Sequence, residues 1–290
     1  MSVLQSSGAF LKSCETYQEA AAIIFGVPMD YTVSFRPGTR TGPQGIRTAS
    51  YGLEEYSVHL DRYLSDVKFH DLGDIVLPFG NVTESMRLIQ EITLKVVREG
   101  RLPLILGGEH LITYPIVQAV KSAYPELAVV HFDAHADLRD TYYGEKLSHG
   151  TVLRRVSEVV GPESVYQFGI RSGVREEFEF ARENTHLHKF KVREPFEKEL
   201  DSLQGRPVFV TLDIDVIDPA YAPGTGTPEP GGISAEEMIE VIHLLSGLRV
   251  VGMDLVEVSP AMDFSGETCL LAAKLVREAL LAFVWRGTAD

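Results

Sequence analysis

The sequence has little cysteine, few basic residues and no long apolar run. Two cysteines in 290 residues, Cys14 and Cys269, cannot build a disulfide framework or a cysteine-ligated zinc site. No apolar run approaches the roughly 20 residues that a membrane-spanning helix needs. Residues 1–12 lack a basic segment leading into an apolar one, which a secretory signal would have. These absences predict a cytoplasmic protein without a membrane segment.

Acidic residues outnumber basic residues by 41 to 27, which gives a net charge of −14. This balance argues against general nucleic-acid binding and agrees, weakly, with a cationic substrate. Hydrophobic residues make up 44% of the chain, as in ordinary folded domains. Because no linker, repeat or low-complexity segment divides the sequence, we expect a single domain over residues 1–290.

Short apolar runs alternate with helical patterns along the chain. The runs predict eight strands, at residues 22–27, 68–71, 102–106, 127–132, 164–169, 187–190, 207–212 and 249–255. Helices are predicted at residues 84–99, 151–160, 176–183, 235–245 and 267–284. Strands that are apolar throughout and alternate with helices are typical of an α/β fold whose parallel sheet is covered on both faces.

Helix-end signals refine two of these predictions. Thr83 is the expected N-cap of the first helix and Gly100 its expected stop. Ser234 is the expected N-cap of the helix at 235–245, in a capping box with Glu237.

Polar clusters follow three of the predicted strands. Asp133, His135 and Asp137 stand at alternate positions in one cluster, and Asp213 and Asp215 do so in the second. Alternate side chains of an extended segment share a face. The third strand ends in Gly107-Gly108-Glu109-His110. Because ligands bind beyond the carboxyl ends of parallel strands, these clusters mark the expected site.

Four aspartates gathered at one site would repel one another and resist ionisation. No lysine or arginine in these motifs neutralises them, whereas a pair of divalent cations would. Carboxylates with two histidines favour a metal such as Mn²⁺ over a thiolate-type zinc site. With six ligands for two ions, bridging carboxylates and a bridging water are expected, and such a pair can activate water for hydrolysis.

Several other polar residues have two interpretations on sequence alone. His131 is a core histidine or one that supports the ligands. His149 is a proton-transfer group or a surface histidine, and Glu257 is a cation-binding carboxylate or a turn acceptor. The remaining acidic residues are expected in turns or behind the ligands: Asp71, Asp74, Asp218 and Asp254. The glycine-rich loop at 222–228 lacks the Lys-Ser/Thr of a phosphate loop, and we interpret it as a rigid loop of the site.

The three blocks at 107–110, 133–137 and 213–219 resemble the signature motifs of the ureohydrolases, in the order of that family. The resemblance covers nearly the whole chain. It implies a three-layer α/β sandwich with an eight-stranded, mostly parallel sheet and a two-manganese site. One Mn²⁺ would be held by His110, Asp133, Asp137 and Asp213, and the other by Asp133, His135, Asp213 and Asp215. It further implies proton transfer by His149, guanidinium binding by Glu257 and a pocket lined by Thr227.

Within the family, residues 143–151 and 169–173 are similar to those of members that cleave agmatine to putrescine and urea. Ser172 stands where arginases have an amine-binding aspartate, Glu109 where many have aspartate, and Gly150 where agmatine-cleaving members often have alanine. The resemblance implies attack by a metal-bridging hydroxide, with Asp137 or His149 protonating the leaving amine. The alternatives are another substrate (guanidinobutyrate, aminopropylagmatine, formiminoglutamate or arginine) and, ranked low, a non-catalytic metal-binding homologue. Homo-oligomers, as trimers or hexamers, are also implied.

Overall fold

A twisted sheet organises the computed structural model, which describes residues 3–5, 8–14 and 16–284. Its strands are β1 (Leu4–Gln5), β2 (Ala22–Val27), β5 (Phe69–Ile75), β6 (Leu102–Gly107), β7 (Ala128–Phe132), β8 (Val165–Ile170), β9 (His186–Lys189), β10 (Pro207–Asp213) and β11 (Arg249–Val256). A separate two-stranded hairpin consists of β3 (Tyr56–Ser57) and β4 (Arg62–Tyr63). Within the described residues the sheet has nine strands, in the spatial order β1-β5-β2-β6-β11-β10-β7-β8-β9.

The eight predicted strands all form and run parallel to one another, so the prediction of a mostly parallel sheet is confirmed. The predicted count of eight is one short. The additional strand is β1, which pairs antiparallel with β5 at the edge of the sheet. Two residues are too few to show an apolar pattern. The predicted absence of a secretory signal rests on residues 1–12. Four of these, residues 1, 2, 6 and 7, lie outside the described residues.

Helices cover both faces of the sheet, which confirms the three-layer sandwich. They are α1 (Gly42–Ser50), α2 (Val82–Arg98), α3 (Thr113–Ala123), α4 (Val152–Val160), α5 (Arg175–Asn184), α6 (Arg193–Leu203), α7 (Ala235–Leu245) and α8 (Glu267–Phe283). Alternate strand residues enter two separate cores. Ile23 and Phe25 of β2 join the core beneath α2–α5, whereas Ala22 and Ile24 join the core beneath α1 and α6–α8.

Of the two predicted N-caps, one is wrong and one is confirmed. The N-cap of α2 is Asn81, whose side chain accepts from the Glu84 amide, and not Thr83. Ser234 caps α7 as predicted and accepts from the amide of Glu237. The capping box is incomplete, because the Glu237 carboxylate accepts instead from the backbone of Arg193.

Asp71 and Asp74 lie neither in turns nor behind the metal-binding cluster. Both are buried and pair with Arg47 of α1, at 2.8 and 2.5 Å. Arg47 is 1% exposed, so these three charges are desolvated together and tie α1 to β5.

The apolar helix α8 packs within the chain, against α1 and α7. Among the described residues no helix has both the length and the hydrophobicity that a membrane crossing requires.

Candidate metal centre and substrate pocket

A polar cavity of about 210 Å³ opens at the carboxyl ends of the central strands. Asp133 follows β7, Asp213 ends β10 and Glu257 follows β11, and these three strands are neighbours. The connections of a parallel sheet therefore bring distant chain segments to one place. The cavity is lined by Ser34, His110, His135, Ala136, Asp137, Arg139, Tyr142, His149, Gly150, Ser172, Gly173, Glu177, Asp213, Thr227 and Glu257.

His110 stands at the centre of the deepest group. Its Nδ1 atom lies 3.2 Å from Asp133, 3.3 Å from Asp137 and 3.4 Å from Asp213, in each case from Oδ2. His110 is 1% exposed, and its Nδ1 has no hydrogen-bond partner among the described residues. Three carboxylate oxygens thus lie around one imidazole nitrogen, and none of them forms a hydrogen bond with it.

A hydrogen-bond relay fixes a proton on one nitrogen of His110. The Thr113 hydroxyl donates to Asp254 Oδ2 at 2.8 Å, so its oxygen is left to accept from the Thr211 hydroxyl at 3.3 Å. Thr211 in turn accepts from Nε2 of His110 at 2.9 Å. Nε2 therefore carries a proton, and Nδ1 is the nitrogen that faces the three aspartates, whose carboxylates outweigh burial and raise the pKa of the His110 imidazole well above its usual value. Such outer hydrogen bonds orient metal-binding histidines.

His135 organises the neighbouring group. Its Nδ1 lies 2.9 Å from Asp215 Oδ2 and 3.5 Å from Asp133 Oδ1. The other oxygen of Asp215 accepts from the amide of Ala134, which fixes that carboxylate. Asp133 faces His110 with Oδ2 and His135 with Oδ1, so it joins the two groups.

His131 lies close enough to His110 and Asp133 to complete a three-ligand set, but both its ring nitrogens are used. Nδ1 accepts from the Gln167 side chain at 3.1 Å, and Nε2 donates to Asp133 at 2.8 Å. It is buried within β7. The structure therefore places His131 behind Asp133, as a donor that orients this carboxylate.

The donor set fits divalent cations. Burial, reinforced by the charge of Asp133, raises the pKa of Asp137 to about 7. Burial and the charges of Asp215 and Asp133 raise the pKa of Asp213 well above its usual value. Of the described side chains that line the cavity, Arg139 alone carries a permanent positive charge, and it lies 3.6 Å from Glu177. A cation between His110 Nδ1 and its carboxylates would relieve this repulsion.

Glu257 lies at the inner wall of the cavity and is 6% exposed. Its Oε1 accepts from the His110 amide at 2.6 Å, and burial raises its pKa to about 8. The loop at 222–228 packs beside Glu257. Gly226 of this loop is so close to its neighbours that an added Cβ would lie 2.9 Å from the carbonyl oxygen of Arg36 and 4.0 Å from Glu257 Oε2. Thr227 of this loop lines the cavity and lies 3.5 Å from Asp215.

His149 lines the cavity, and its ring meets that of Tyr142 edge to face. Burial lowers its pKa to about 4, so the free ring is neutral at pH 7. Its Nε2 lies 3.1 Å from the hydroxyl of Ser34, and its Nδ1 lies 3.4 Å from that of Thr32. A neutral imidazole in this position can accept a proton.

The structure therefore brings the sequence-predicted site residues to one cavity or directly beneath it. Asp254 supports His110 through the relay, whereas Asp218 accepts from the amides of Gly231 and Gly232 in a turn. No sequence motif marks Ser34 or Tyr142, although both line the cavity. Ser34 belongs to a segment after β2 that carries no motif, and only the fold brings it to His149.

A model of the arginase family matches residues 20–282 of the chain. The chain belongs to the arginase family. It is 53% identical to "Agmatinase" of Bacillus anthracis over 96% of this chain and 97% of that protein. It is 39% identical to "Guanidinobutyrase" of Pseudomonas aeruginosa over 89% of this chain and 85% of that protein. A crystal structure of a putative agmatinase from Clostridium difficile superposes with a TM-score of 0.90 at 41% identity, covering 93% of this chain and 99% of that one.

Membership of the arginase family makes the chain a hydrolase of linear amidine carbon–nitrogen bonds. The family is metal-dependent, and the clusters around His110 and His135 are candidate metal-binding residues of this chain.

Proposed function

We propose that this member of the arginase family hydrolyses agmatine to putrescine and urea. The observation that carries the proposal is the paired cluster around His110 and His135, which lies at the base of a cavity with Glu257 and His149 on its walls. The 53% identity to an agmatinase over nearly the whole chain supports agmatine as the substrate.

Two Mn²⁺ ions are the proposed metals. One would be held by His110, Asp133, Asp137 and Asp213, and the other by Asp133, His135, Asp213 and Asp215. The unpartnered Nδ1 of His110 and the scarcity of positive charge in the cavity support a cation there. When bound, such a pair supplies a water of lowered pKa and orients the substrate.

The chain's own residues then bind and orient the guanidinium group. One oxygen of Glu257 accepts from the His110 amide, which fixes the carboxylate plane. The second oxygen is left to accept from an N–H of the guanidinium. Thr227 adds a hydroxyl to the same wall. Holding the guanidinium carbon in one orientation lowers the entropic part of the barrier.

Completion of the reaction needs a proton on the leaving amine. Water oxygen bonds to the guanidinium carbon, the bond from that carbon to the butylamine nitrogen breaks, and this nitrogen takes up a proton. Asp137 and His149 are the two proposed donors, since both line the cavity. His149 is half-buried and lies within hydrogen-bond distance of two hydroxyls, as a proton carrier of fixed orientation would be.

Urea release tests this proposal directly. The Mn²⁺-loaded protein is offered agmatine and arginine side by side, with an EDTA-treated sample as control. We expect metal-dependent urea from agmatine and little from arginine. Equal turnover of arginine, or metal-independent turnover, would overturn the proposed specificity or the proposed metal site, respectively.

A second substrate class is favoured by one specific observation, the position of Arg139 on the cavity wall. A guanidinium there could pair with a carboxylate tail such as that of guanidinobutyrate, and the chain is 39% identical to a guanidinobutyrase. Glu177 lies 3.6 Å from Arg139 and offsets its charge, which keeps agmatine as the first proposal. Guanidinobutyrate belongs in the same urea assay, and faster turnover of it than of agmatine would reverse the order.

The assembly and the compartment stay predictions. We propose a homo-oligomer, a trimer or hexamer, located in the cytoplasm. Light scattering of the purified protein decides the subunit number, and a single-subunit mass would contradict this prediction.

A further inference from the structure

The segment from Met29 to Ser34, which follows β2, is fixed by the block Gly107-Gly108-Glu109-His110. The amide of Glu109 donates to the carbonyl of Met29 at 2.8 Å. The two chain segments approach so closely that a Cβ on Gly108 would lie 2.0 Å from this carbonyl oxygen. Only glycine fits such a contact.

The side chain of Glu109 makes the next contacts. Its Oε2 accepts from the amide of Tyr31 at 2.8 Å and from that of Thr32 at 2.7 Å. The residue is fully buried, and its Oε1 has no hydrogen-bond partner among the described residues. Glu109 thus fixes two successive amides of the segment through one oxygen.

The same segment holds His149 from the other side. The Thr32 hydroxyl accepts from the His149 amide at 3.1 Å and lies 3.4 Å from Nδ1 of its ring. The Ser34 hydroxyl lies 3.1 Å from Nε2. Because the Thr32 oxygen already accepts from the amide, its own proton can go to either of two acceptors, the Glu109 carboxylate or Nδ1 of His149.

We propose that Glu109 is a positioning residue for His149, acting through the amides of Tyr31 and Thr32 and the hydroxyls of Thr32 and Ser34. The inference rests on the proposed function, in which His149 transfers a proton. It gives the Gly107–His110 block a second role, because His110 faces the metal site while Glu109 sets the orientation of a second histidine that lines the cavity.

The contacts with the amides of Tyr31 and Thr32 require a side chain as long as that of Glu109. Aspartate is shorter by one carbon–carbon bond, about 1.5 Å. From the same backbone, its oxygen would leave both amides beyond hydrogen-bond distance unless the segment moved. A displacement of about 1 Å at a reacting group can cost on the order of 100-fold in rate.

Two pairs of variants test the proposal. Glu109→Asp withdraws the acceptor, and Glu109→Gln keeps an oxygen at the same length. Thr32→Val removes the hydroxyl, and Thr32→Ser retains it. The matched control is Glu194→Asp, at an exposed residue that pairs with Lys198. Each purified variant is assayed for bound Mn²⁺ per subunit, for kcat and KM with agmatine, and for amide hydrogen exchange.

We expect Glu109→Asp and Thr32→Val to lower kcat by at least about tenfold, with KM within about threefold and the metal content unchanged. Glu109→Gln, Thr32→Ser and the control should stay within about threefold of the wild type. Hydrogen exchange should accelerate at the amides of Tyr31, Thr32 and His149 in Glu109→Asp. In Thr32→Val it should accelerate at His149 alone, because Glu109 still holds the other two.

Unchanged exchange at these amides in Glu109→Asp would overturn the proposal. So would loss of metal in that variant, which would trace the effect to its neighbour His110, or a failure of glutamine to restore kcat. If the wild type releases no urea from agmatine, the proposed function fails, whereas the exchange data still decide whether Glu109 positions His149.

Discussion

Replacement of Thr211 by valine should weaken metal binding without touching any proposed ligand. Valine keeps the shape of threonine and removes the oxygen that accepts from Nε2 of His110 at 2.9 Å. The buried Nε2–H then lacks an acceptor, which costs about 1–3 kcal/mol. If Mn²⁺ binding to Nδ1 loses that amount, the affinity falls about 5- to 150-fold, at about 1.4 kcal/mol per factor of ten. Loss of an outer hydrogen bond typically has this size.

The assay is competition for Mn²⁺ between the protein and a fluorescent chelator, read as the dissociation constant of each variant. Thr211→Ser retains the hydroxyl and should bind as the wild type does. Thr93→Val is the matched control, because Thr93 is equally buried but donates only to the carbonyl of Ile89 within α2. A dissociation constant of Thr211→Val equal to that of the control would refute the relay.

Three further predictions concern single side chains. Asp137→Asn should lose both bound metal and turnover, and metal analysis with urea release checks this; wild-type activity would contradict the role of Asp137. His149→Asn should keep its metals and lose turnover, and an unchanged pH–rate profile would exclude its proton transfer. Burial alone would raise the pKa of Glu278, but hydrogen bonds from His243, Arg277 and Ser57 lower it to about 2. Because this pKa lies below the usual 4.5, the ionised carboxylate adds about 3 kcal/mol of stability above pH 5, lost as the pH falls towards 2. In urea unfolding, Glu278→Gln should therefore be destabilised at pH 7, and the difference should shrink towards pH 3; a pH-independent difference would contradict the ion pair.

Sequence patterns predicted the central parallel strands because these are apolar almost throughout and therefore conspicuous. They missed two helices for identifiable reasons. α6 buries only Phe196 and Leu203, so its apolar face is too sparse to show a helical period. α3 contains Pro115 near its start and is apolar around much of its surface, which hides its period.

The site was predictable to the extent that its residues follow strands. Asp133, His135, Asp213 and Asp215 stand at alternate positions after apolar runs, and this spacing alone places them on shared faces. Contacts between distant segments carry no such signal. No pattern in the sequence links Ser34 to His149, 115 residues away, or Thr113 to Asp254, because these pairs are set by strand order and loop packing.

Two of the six described non-glycine residues with positive φ angles line the cavity. Asp137 and Glu257 adopt φ angles of +53° and +63°, a region that costs non-glycine residues about 1–3 kcal/mol. Both are held there by main-chain bonds. The carbonyl of Asp137 accepts from the amides of Leu153 and Arg154 at the start of α4, and the amide of Glu257 donates to Gly108. Residues under strain persist when neighbouring structure determines their conformation. Here that conformation turns one carboxylate towards His110 Nδ1 and the other towards the cavity, so the same main-chain bonds that hold the strain also orient the two groups proposed to bind metal and substrate.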